Sequence, residues 1–370
     1  MITASLRAES GTVHVAWPEG LTADYPYLWL RDNCPSGFHP QTLEREFDLL
    51  SVPESIAPRS VEIVGDTLTI SWTNDNHVSR FDTTWLKAHR PGTQRPDPAA
   101  IPAEPWRGDL TAASLPRITA DDMLRSDSAL LEWLAALKRT GIAIVTELAD
   151  DQEAGLTAAR RIGHLRETNF GLTFNVVSKP NPNNLAYTAQ RLPLHTDLAN
   201  QELPPGFQFL HCLANEAEGG GSLFADGYAI AEDLKAQDRE AYDILATTKI
   251  PFRFHDRESD IRKHDTVIRL GAGGIVEEIR FNAHLADILD LPAVAMRDFY
   301  RAYRAFMALS RQERYIVSFA LGSGEMIAFD NRRVLHGRDA FDPATGRRHL
   351  HGCYVDRGDL DSRIRVLSRT

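Results

Sequence analysis

The chain of 370 residues is 43% hydrophobic and 25% charged, a balance that excludes disordered, collagenous and coiled-coil proteins. Its length admits one large domain or two smaller ones. Forty-one basic against fifty-one acidic side chains leave a net charge of -10, which argues against nucleic acid or an anionic membrane surface as partner.

No run approaches the roughly 18 apolar residues of a membrane span, and the opening MITASLRAES lacks a basic-then-apolar leader, so a cytoplasmic protein is expected. Three scattered cysteines, Cys34, Cys212 and Cys353, give no disulfide framework and read as buried thiols of a reducing compartment. In chain order, 12–16 and 67–72 alternate at period two, with Leu68, Ile70 and Trp72 on one face, which predicts a small β-rich unit over residues 1–90. Pro91, Pro96, Pro98, Pro102, Pro105 and Pro116 then mark a linker over 91–116, because proline lacks the amide donor that a helix or central strand needs.

Leu130, Leu131, Leu134 and Leu137 predict a helix over 128–140 that stops at Gly141, followed by a buried strand at 142–145 and a second amphipathic helix over 153–165. Strand-like runs recur at 207–213, 222–225, 267–270, 326–329 and 349–355. Short and separated by Gly-rich turns, they predict a mostly β, α+β domain over 117–370: an antiparallel barrel or jelly roll with flanking helices. No sustained βαβα alternation points to a doubly wound sheet.

Three groups could carry chemistry: His195-Thr196-Asp197, His336 within FDNRRVLHGRD, and the pair Arg347-Arg348. On an extended strand, residues two apart share a face, so His195 and Asp197 would point together. A second His from a neighbouring strand would complete one face of an octahedron and leave positions for a bidentate oxoacid and dioxygen, the arrangement of non-haem iron(II) oxygenases. The tripeptide alone says little, since composition gives about 1.8 copies of His-x-Asp/Glu by chance. Its context is the Gly-rich turn ending at Ser222, the Asp330-Asn331 pair before the second His, and an Arg shortly after it.

The segments NNLAYTAQRLPLHTDLANQELPPGFQFLHC, EGGGSLFADG, FDNRRVLHGRDAF and RRHLHGCYVDRGDLDSRIRVL, with WLRDNCP and NHVSRFDTTWL nearer the start, closely resemble the γ-butyrobetaine dioxygenase-like members of the taurine dioxygenase-like family of iron(II)- and 2-oxoglutarate-dependent oxygenases. The resemblance implies a double-stranded β-helix (jelly-roll) core behind a small accessory β domain. It implies that His195, Asp197 and His336 bind iron, that Arg348 grips the distal carboxylate of 2-oxoglutarate, and that Ser222 contacts the same cosubstrate. A planar guanidinium offers two parallel charge-assisted bonds, which lysine does not reproduce. Arg347 falls on the opposite strand face and reads as a solvated charge. Asp330 reads either as a residue that orients its neighbours or as a turn-forming Asp-Asn.

On the substrate side, the family's aromatic cage for a trimethylammonium group maps onto Phe170, Phe174, Tyr187 and Tyr354, two of them departing from the family's Tyr and Trp. Asn184 and Asn282 match groups that would face a substrate carboxylate, and Leu198 replaces a site-lining Tyr. The implied reaction hydroxylates a small quaternary-ammonium substrate, γ-butyrobetaine to carnitine, with iron(II), 2-oxoglutarate and dioxygen; another betaine or a trimethylammonium phosphonate is the runner-up. A non-catalytic metal-binding jelly roll and a taurine-type sulfonate oxygenase are the rival classes. Against the first stands Arg348, and against the second the aromatic positions. A homodimer is implied only by the resemblance. In the accessory domain the family's zinc ligands survive in part as Cys34 and His77, with Ser36 in a cysteine's place and His39 nearby, so structural zinc is not expected.

Overall fold

The computed structural model describes residues 1–74, 76–178 and 188–369, and every count below refers to these. The chain forms two compact units, Met1–Asp97 and Pro98–Thr370. No helix among the described residues is long and apolar enough to cross a membrane.

In the first unit, β1 (Thr3–Arg7), β2 (Thr12–Ala16) and β3 (Thr22–Pro26) form one antiparallel meander, and α1 (Tyr27–Asp32) follows it. A second meander joins β4 (Pro58–Val64), β5 (Thr67–Trp72) and β6 (Val78–Asp82) and ends in α2 (Thr83–Ala88). The alternation in β5 turns Leu68, Ile70 and Trp72 inward, where they pack with Val13, Val15, Tyr25 and Phe81. The side chain of Asp82 caps α2 by accepting the amides of Thr84 and Trp85 at 2.7 and 2.9 Å.

The division between the units falls inside the proline-rich stretch. Residues 98–116 pack into the second unit, which buries Ala99, Trp106 and Leu115. A fully buried ion pair holds them there: Arg333 donates to Asp226 at 2.7 Å and to the Glu104 carbonyl at 2.8 Å, while Asp226 accepts the Trp106 amide at 3.0 Å. Prolines remove ladder donors, so this segment is fixed through the groups its other residues still offer.

The second unit opens with β7 (Arg117–Thr119), α3 (Ala120–Arg125), α4 (Asp127–Thr140), β8 (Ile142–Thr146) and α5 (Gln152–Arg160). Helix α4 starts at a Ser126 cap and stops where Gly141 takes φ 77°, a left-handed conformation that glycine adopts without penalty. Helix α5 is shorter than its periodicity suggests; it ends before Gly163, where an added Cβ would lie 2.4 Å from that of Asp359. Then come β9 (Thr173–Val176), β10 (Leu192–His195), β11 (Phe207–Asn215) and β12 (Ser222–Asp226). An insertion follows: α6 (Gly227–Gln237), α7 (Arg239–Thr247), β13 (Ile250–His255), β14 (Asp260–Asp265), β15 (Ile268–Leu270), β16 (Val276–Ile279) and α8 (Ala293–Ser310). The chain closes with β17 (Val317–Phe319), β18 (Met326–Asp330), β19 (Val334–Arg338), β20 (Arg348–Val355) and α9 (Arg357–Leu367).

These strands build a sandwich. One sheet runs β7-β8-β18-β11-β20-β9 and the other β10-β19-β12-β17, antiparallel throughout except for β7 beside β8. Their inner faces meet through Leu210, Ile327 and Phe329 from one side and Phe224, Val317 and Val334 from the other. Helices α4, α5 and α9 cover the outer face of the larger sheet, and α6 to α8 that of the smaller. Buried on both faces, β18 is an apolar run up to Asp330, and β11 is buried from Phe207 to Ala214 without alternation although it includes Gln208 and His211. This is a jelly roll with helices on its flanks, as the strand spacing predicts.

Candidate active site

The register of the smaller sheet creates the site. His195, the last residue of β10, lies directly opposite His336 of β19, and their ring centroids are 4.3 Å apart. Pro193 fits in β10 because that strand is an edge, where no neighbour needs its missing amide. Its carbonyl lies 2.9 Å from His195 Nδ1, which must therefore carry the proton and leave Nε2 as a ligand atom.

Asp197 does not continue the strand. The chain turns after His195, and Leu198 takes φ 57°, a strained value for a branched side chain. Asn331, fully buried, imposes this turn: its Oδ1 accepts the Asp197 amide at 2.6 Å, and its Nδ2 donates to the Asp197 and Pro205 carbonyls at 3.1 and 3.2 Å. Arg280 adds bonds to the carbonyls of Ala199 at 3.2 Å and Gln201 at 3.0 Å. The turn carries the carboxylate across to both imidazoles: Asp197 Oδ1 stands 3.2 Å from His195 Nε2 and 3.6 Å from His336 Nε2. One ligand atom from each of the three residues lies within 4.8 Å of the others, the one such group of His, Cys, Asp and Glu among the described residues.

Burial, with His195 opposing a second positive charge, pushes the His336 imidazole down to about 3, so it stands neutral and able to offer a nitrogen to a metal ion. Burial by itself would raise the Asp197 carboxyl, but the two imidazoles and the Tyr354 hydroxyl, which donates to Oδ2 at 2.8 Å, hold it below the usual carboxylate range. His336 Nδ1 is buried without a partner. Two imidazole nitrogens and one anionic oxygen at the wall of a cavity fit a divalent iron with open positions.

That cavity, about 360 Å³, is lined by Ser222, Arg348, Phe170, Phe174, Leu198, Asn282 and Tyr354 together with the triad. Arg348 opens β20; it is 7% exposed, and its Nε has no hydrogen-bond partner. Burial lowers its affinity for the proton, and the site gives it no carboxylate of its own. Gly220, at φ 68°, lets the guanidinium through, since a Cβ there would stand 2.9 Å from Nε. Arg347 points the other way and is exposed. A buried, unmatched fork of donors fits one end of a dicarboxylate such as 2-oxoglutarate.

Tyr354 also meets Phe174, with ring centroids 5.1 Å apart, and Phe170 packs edge-on to Phe254 at 5.2 Å. Gly352 makes room for the Phe174 ring, whose Cζ would lie 2.4 Å from a Cβ at that position. Asn184 and Tyr187 lie outside the described residues. Asn282 is committed to backbone: Nδ2 donates to the Thr196 carbonyl at 3.0 Å, and Oδ1 accepts the amides of His284 and Leu285 at 3.0 and 3.1 Å. Asp330 does not touch the triad; it accepts Arg357 at 2.7 Å and the Arg332 amide at 3.0 Å.

Sequence reasoning missed Phe254, His284, Gln208 and Arg338, all of which line the cavity. Arg338 carried a signal, because it lies two residues beyond His336 and so shares its strand face. Burial and the nearby Arg348 lower it to about 10, and it donates to the Thr188 and Gln190 carbonyls at 2.7 and 2.8 Å. Phe254 and His284 come from the insertion and carry no motif. In the first unit, Cys34 Sγ lies 3.3 Å from His77 Nε2 and 3.2 Å from Ser36 Oγ, whereas His39 Nδ1 accepts the amides of Gln41 and Thr42.

The sandwich, the facial triad and the buried arginine define a non-haem iron- and 2-oxoglutarate-dependent oxygenase. Residues 100–354 match the model of the "Taurine catabolism dioxygenase TauD, TfdA family", and residues 4–87 that of "Gamma-butyrobetaine hydroxylase-like, N-terminal". Gamma-butyrobetaine dioxygenase of Pseudomonas sp. (strain AK-1) is 43% identical over 99% of this chain and 96% of its own. The human protein of that name is 31% identical over 96% and 94%. A taurine dioxygenase from Burkholderia xenovorans shares the fold at a TM-score of 0.51 and 16% identity, covering 69% of this chain and 90% of that one. The chain belongs to the TauD/TfdA dioxygenase family.

Proposed function

We propose that this enzyme hydroxylates γ-butyrobetaine, yielding carnitine, with conversion of 2-oxoglutarate to succinate and carbon dioxide. In this reading His195, Asp197 and His336 hold the iron, while Arg348 and Ser222 hold the cosubstrate. Iron, when bound with 2-oxoglutarate and dioxygen, supplies the oxidising power that an unactivated C–H bond demands. The chain supplies position. Arg348 orients the cosubstrate by its distal carboxylate, Tyr354 fixes the Asp197 carboxylate, and Leu198, Leu210 and Leu350 keep water from the reacting carbon.

The observation that carries the substrate class is the cavity wall. It presents Phe170, Phe174, Phe254 and Tyr354, and its one acidic group among the described residues, Asp197, is committed to the triad. A trimethylammonium has no hydrogen-bond donor and is recognised by aromatic faces rather than by a carboxylate. The relatives at 43% and 31% identity carry the same substrate in their names. A panel of γ-butyrobetaine, another betaine, a trimethylammonium phosphonate and taurine, read by succinate release, tests the reading. γ-Butyrobetaine should give the highest kcat/KM, and a preference for taurine would overturn the proposal.

A further inference from the structure

We infer that Glu278, which does not line the cavity, is a positioning residue for the metal site: its carboxylate ties together the two grips that hold Asp197 against the imidazoles. The loop from Asp197 to Gly206 contains no strand or helix, so its shape is set by what holds it from outside. Asn331 grips one side through the Asp197 amide and the carbonyls of Asp197 and Pro205, and Arg280 grips the other through the carbonyls of Ala199 and Gln201. Both grips end on Glu278. Its Oε1 accepts Arg280 Nη2 at 2.9 Å and Nε at 3.1 Å; its Oε2 accepts Nε, at 2.8 Å, and Nη2 of Arg332, the residue after Asn331. The Ile279 amide, beside Glu278, donates to the Arg332 carbonyl at 2.8 Å, so side chain and backbone join the same two segments.

The side chains of Glu278 and Arg280 are each 1% exposed. Burial by itself would raise the Glu278 carboxyl, but Arg332 and Arg280 hold it below the usual carboxylate range. Arg280 has one other acid within reach, Asp265 at 3.4 Å, which lies nearer solvent. Without the Glu278 charge, the guanidinium turns toward Asp265 and loosens its hold on the loop. Leu198 then drives the change, because its φ of 57° stores roughly 1–3 kcal/mol that persists only while the surroundings enforce it. As that strain relaxes, Asp197 Oδ1 leaves its place beside both imidazole nitrogens. Arg269 supplies an internal comparison: it faces the same carboxylate from β15 at 3.7 Å but makes no bond to the loop.

Titration of the metal-free protein with cobalt(II), without 2-oxoglutarate and well below each variant's melting temperature, reads the metal Kd and the visible d–d bands of the bound ion. Both readouts are independent of the substrate. Partners that orient metal ligands contribute about 10- to 100-fold in affinity, so Glu278→Gln and Arg280→Met should each weaken cobalt binding by roughly 10-fold and alter its bands. The double variant should lose little more than either single one, since both changes cut the same tie. Glu278→Asp, which keeps the charge, should recover part of the loss, and Arg269→Ala should bind as wild type. Should Glu278→Gln fail to fold, Arg280→Met and Arg332→Met, each of which cuts one grip, carry the same comparison. A Kd within about threefold of wild type in folded Glu278→Gln, with only the melting temperature lowered, would make Glu278 a structural anchor and overturn the inference. An equal loss of affinity in Arg269→Ala would overturn it as well.

Discussion

Replacing Arg348 by Met should separate cosubstrate affinity from folding. In the free enzyme the guanidinium is 7% exposed, its Nε has no partner, and its nearest aromatic face, Phe341, lies 5.5 Å away. A desolvated cation without a counter-charge weakens the free fold, and Met fills the same space without that penalty. The cosubstrate-free variant should therefore melt at or above the wild-type temperature. Removing one partner of a desolvated charge pair costs roughly 2–5 kcal/mol, or about 30- to 4,000-fold in Kd for 2-oxoglutarate. Anaerobic titration with a redox-inert divalent metal in the site measures that Kd directly. A wild-type protein saturated to 100 times its Kd gains about 2.7 kcal/mol of stability from the ligand, and the variant at the same concentration should gain far less. Arg347→Ala, on the exposed face, should behave as wild type. A Kd for Arg348→Met within about threefold of wild type would refute the assignment, and a marked loss of melting temperature without ligand would refute the claim of an unmatched charge.

Gly352→Ala should push Phe174 off β20 and raise KM for γ-butyrobetaine several-fold, as expected for a cation–π contribution of roughly 0.5–2 kcal/mol, with little change in 2-oxoglutarate Kd; equal effects on both would contradict it. His211 is buried beside His351 with neither ring nitrogen partnered, and burial first, then His351, lowers its affinity for the proton. The unfolded chain then binds more protons as pH falls below 6.5, so stability is complete above that value and lost beneath it. His211→Leu should flatten the fall in melting temperature between about pH 6.5 and 5, and an unchanged slope would count against this account. In the first unit, one cysteine sulfur and one facing imidazole make a poor tetrahedral site, so elemental analysis should find no stoichiometric zinc. One tightly held zinc, lost on His77→Ala, would reverse that expectation.

The strands that form the centre of the sandwich were legible because burial on both faces makes β18 an apolar run and fills β11 and β20 with apolar residues between their few polar ones. The edge strand β10 was not, since it is short and contains Pro193. The His-x-Asp motif suggested two ligands on one strand face. The structure joins them across a strand end, because Asn331 and Arg280 capture the backbone after His195, and nothing local in the tripeptide announces those partners more than 80 residues away. Arg348 and Arg347 were separable by strand alternation alone. The insertion between β12 and β17 was the least legible part. Its helices α6 to α8 bury their faces on the smaller sheet, and which of its side chains return to the cavity depends on that tertiary packing. Phe254 and His284 therefore had no sequence signal, and Asn282, legible as a site residue, is committed to backbone in a way that only coordinates reveal.

The central claim is that His195, Asp197 and His336 together support oxidation coupled to 2-oxoglutarate. It is tested most directly by counting succinate and hydroxylated γ-butyrobetaine released by wild type and by Asp197→Ala under identical iron and oxygen. The account predicts one hydroxylated product per succinate for the wild type, and loss of both, with weakened iron binding, for the folded variant. Product formation by Asp197→Ala at near the wild-type rate, or wild-type hydroxylation without matching succinate, would contradict it.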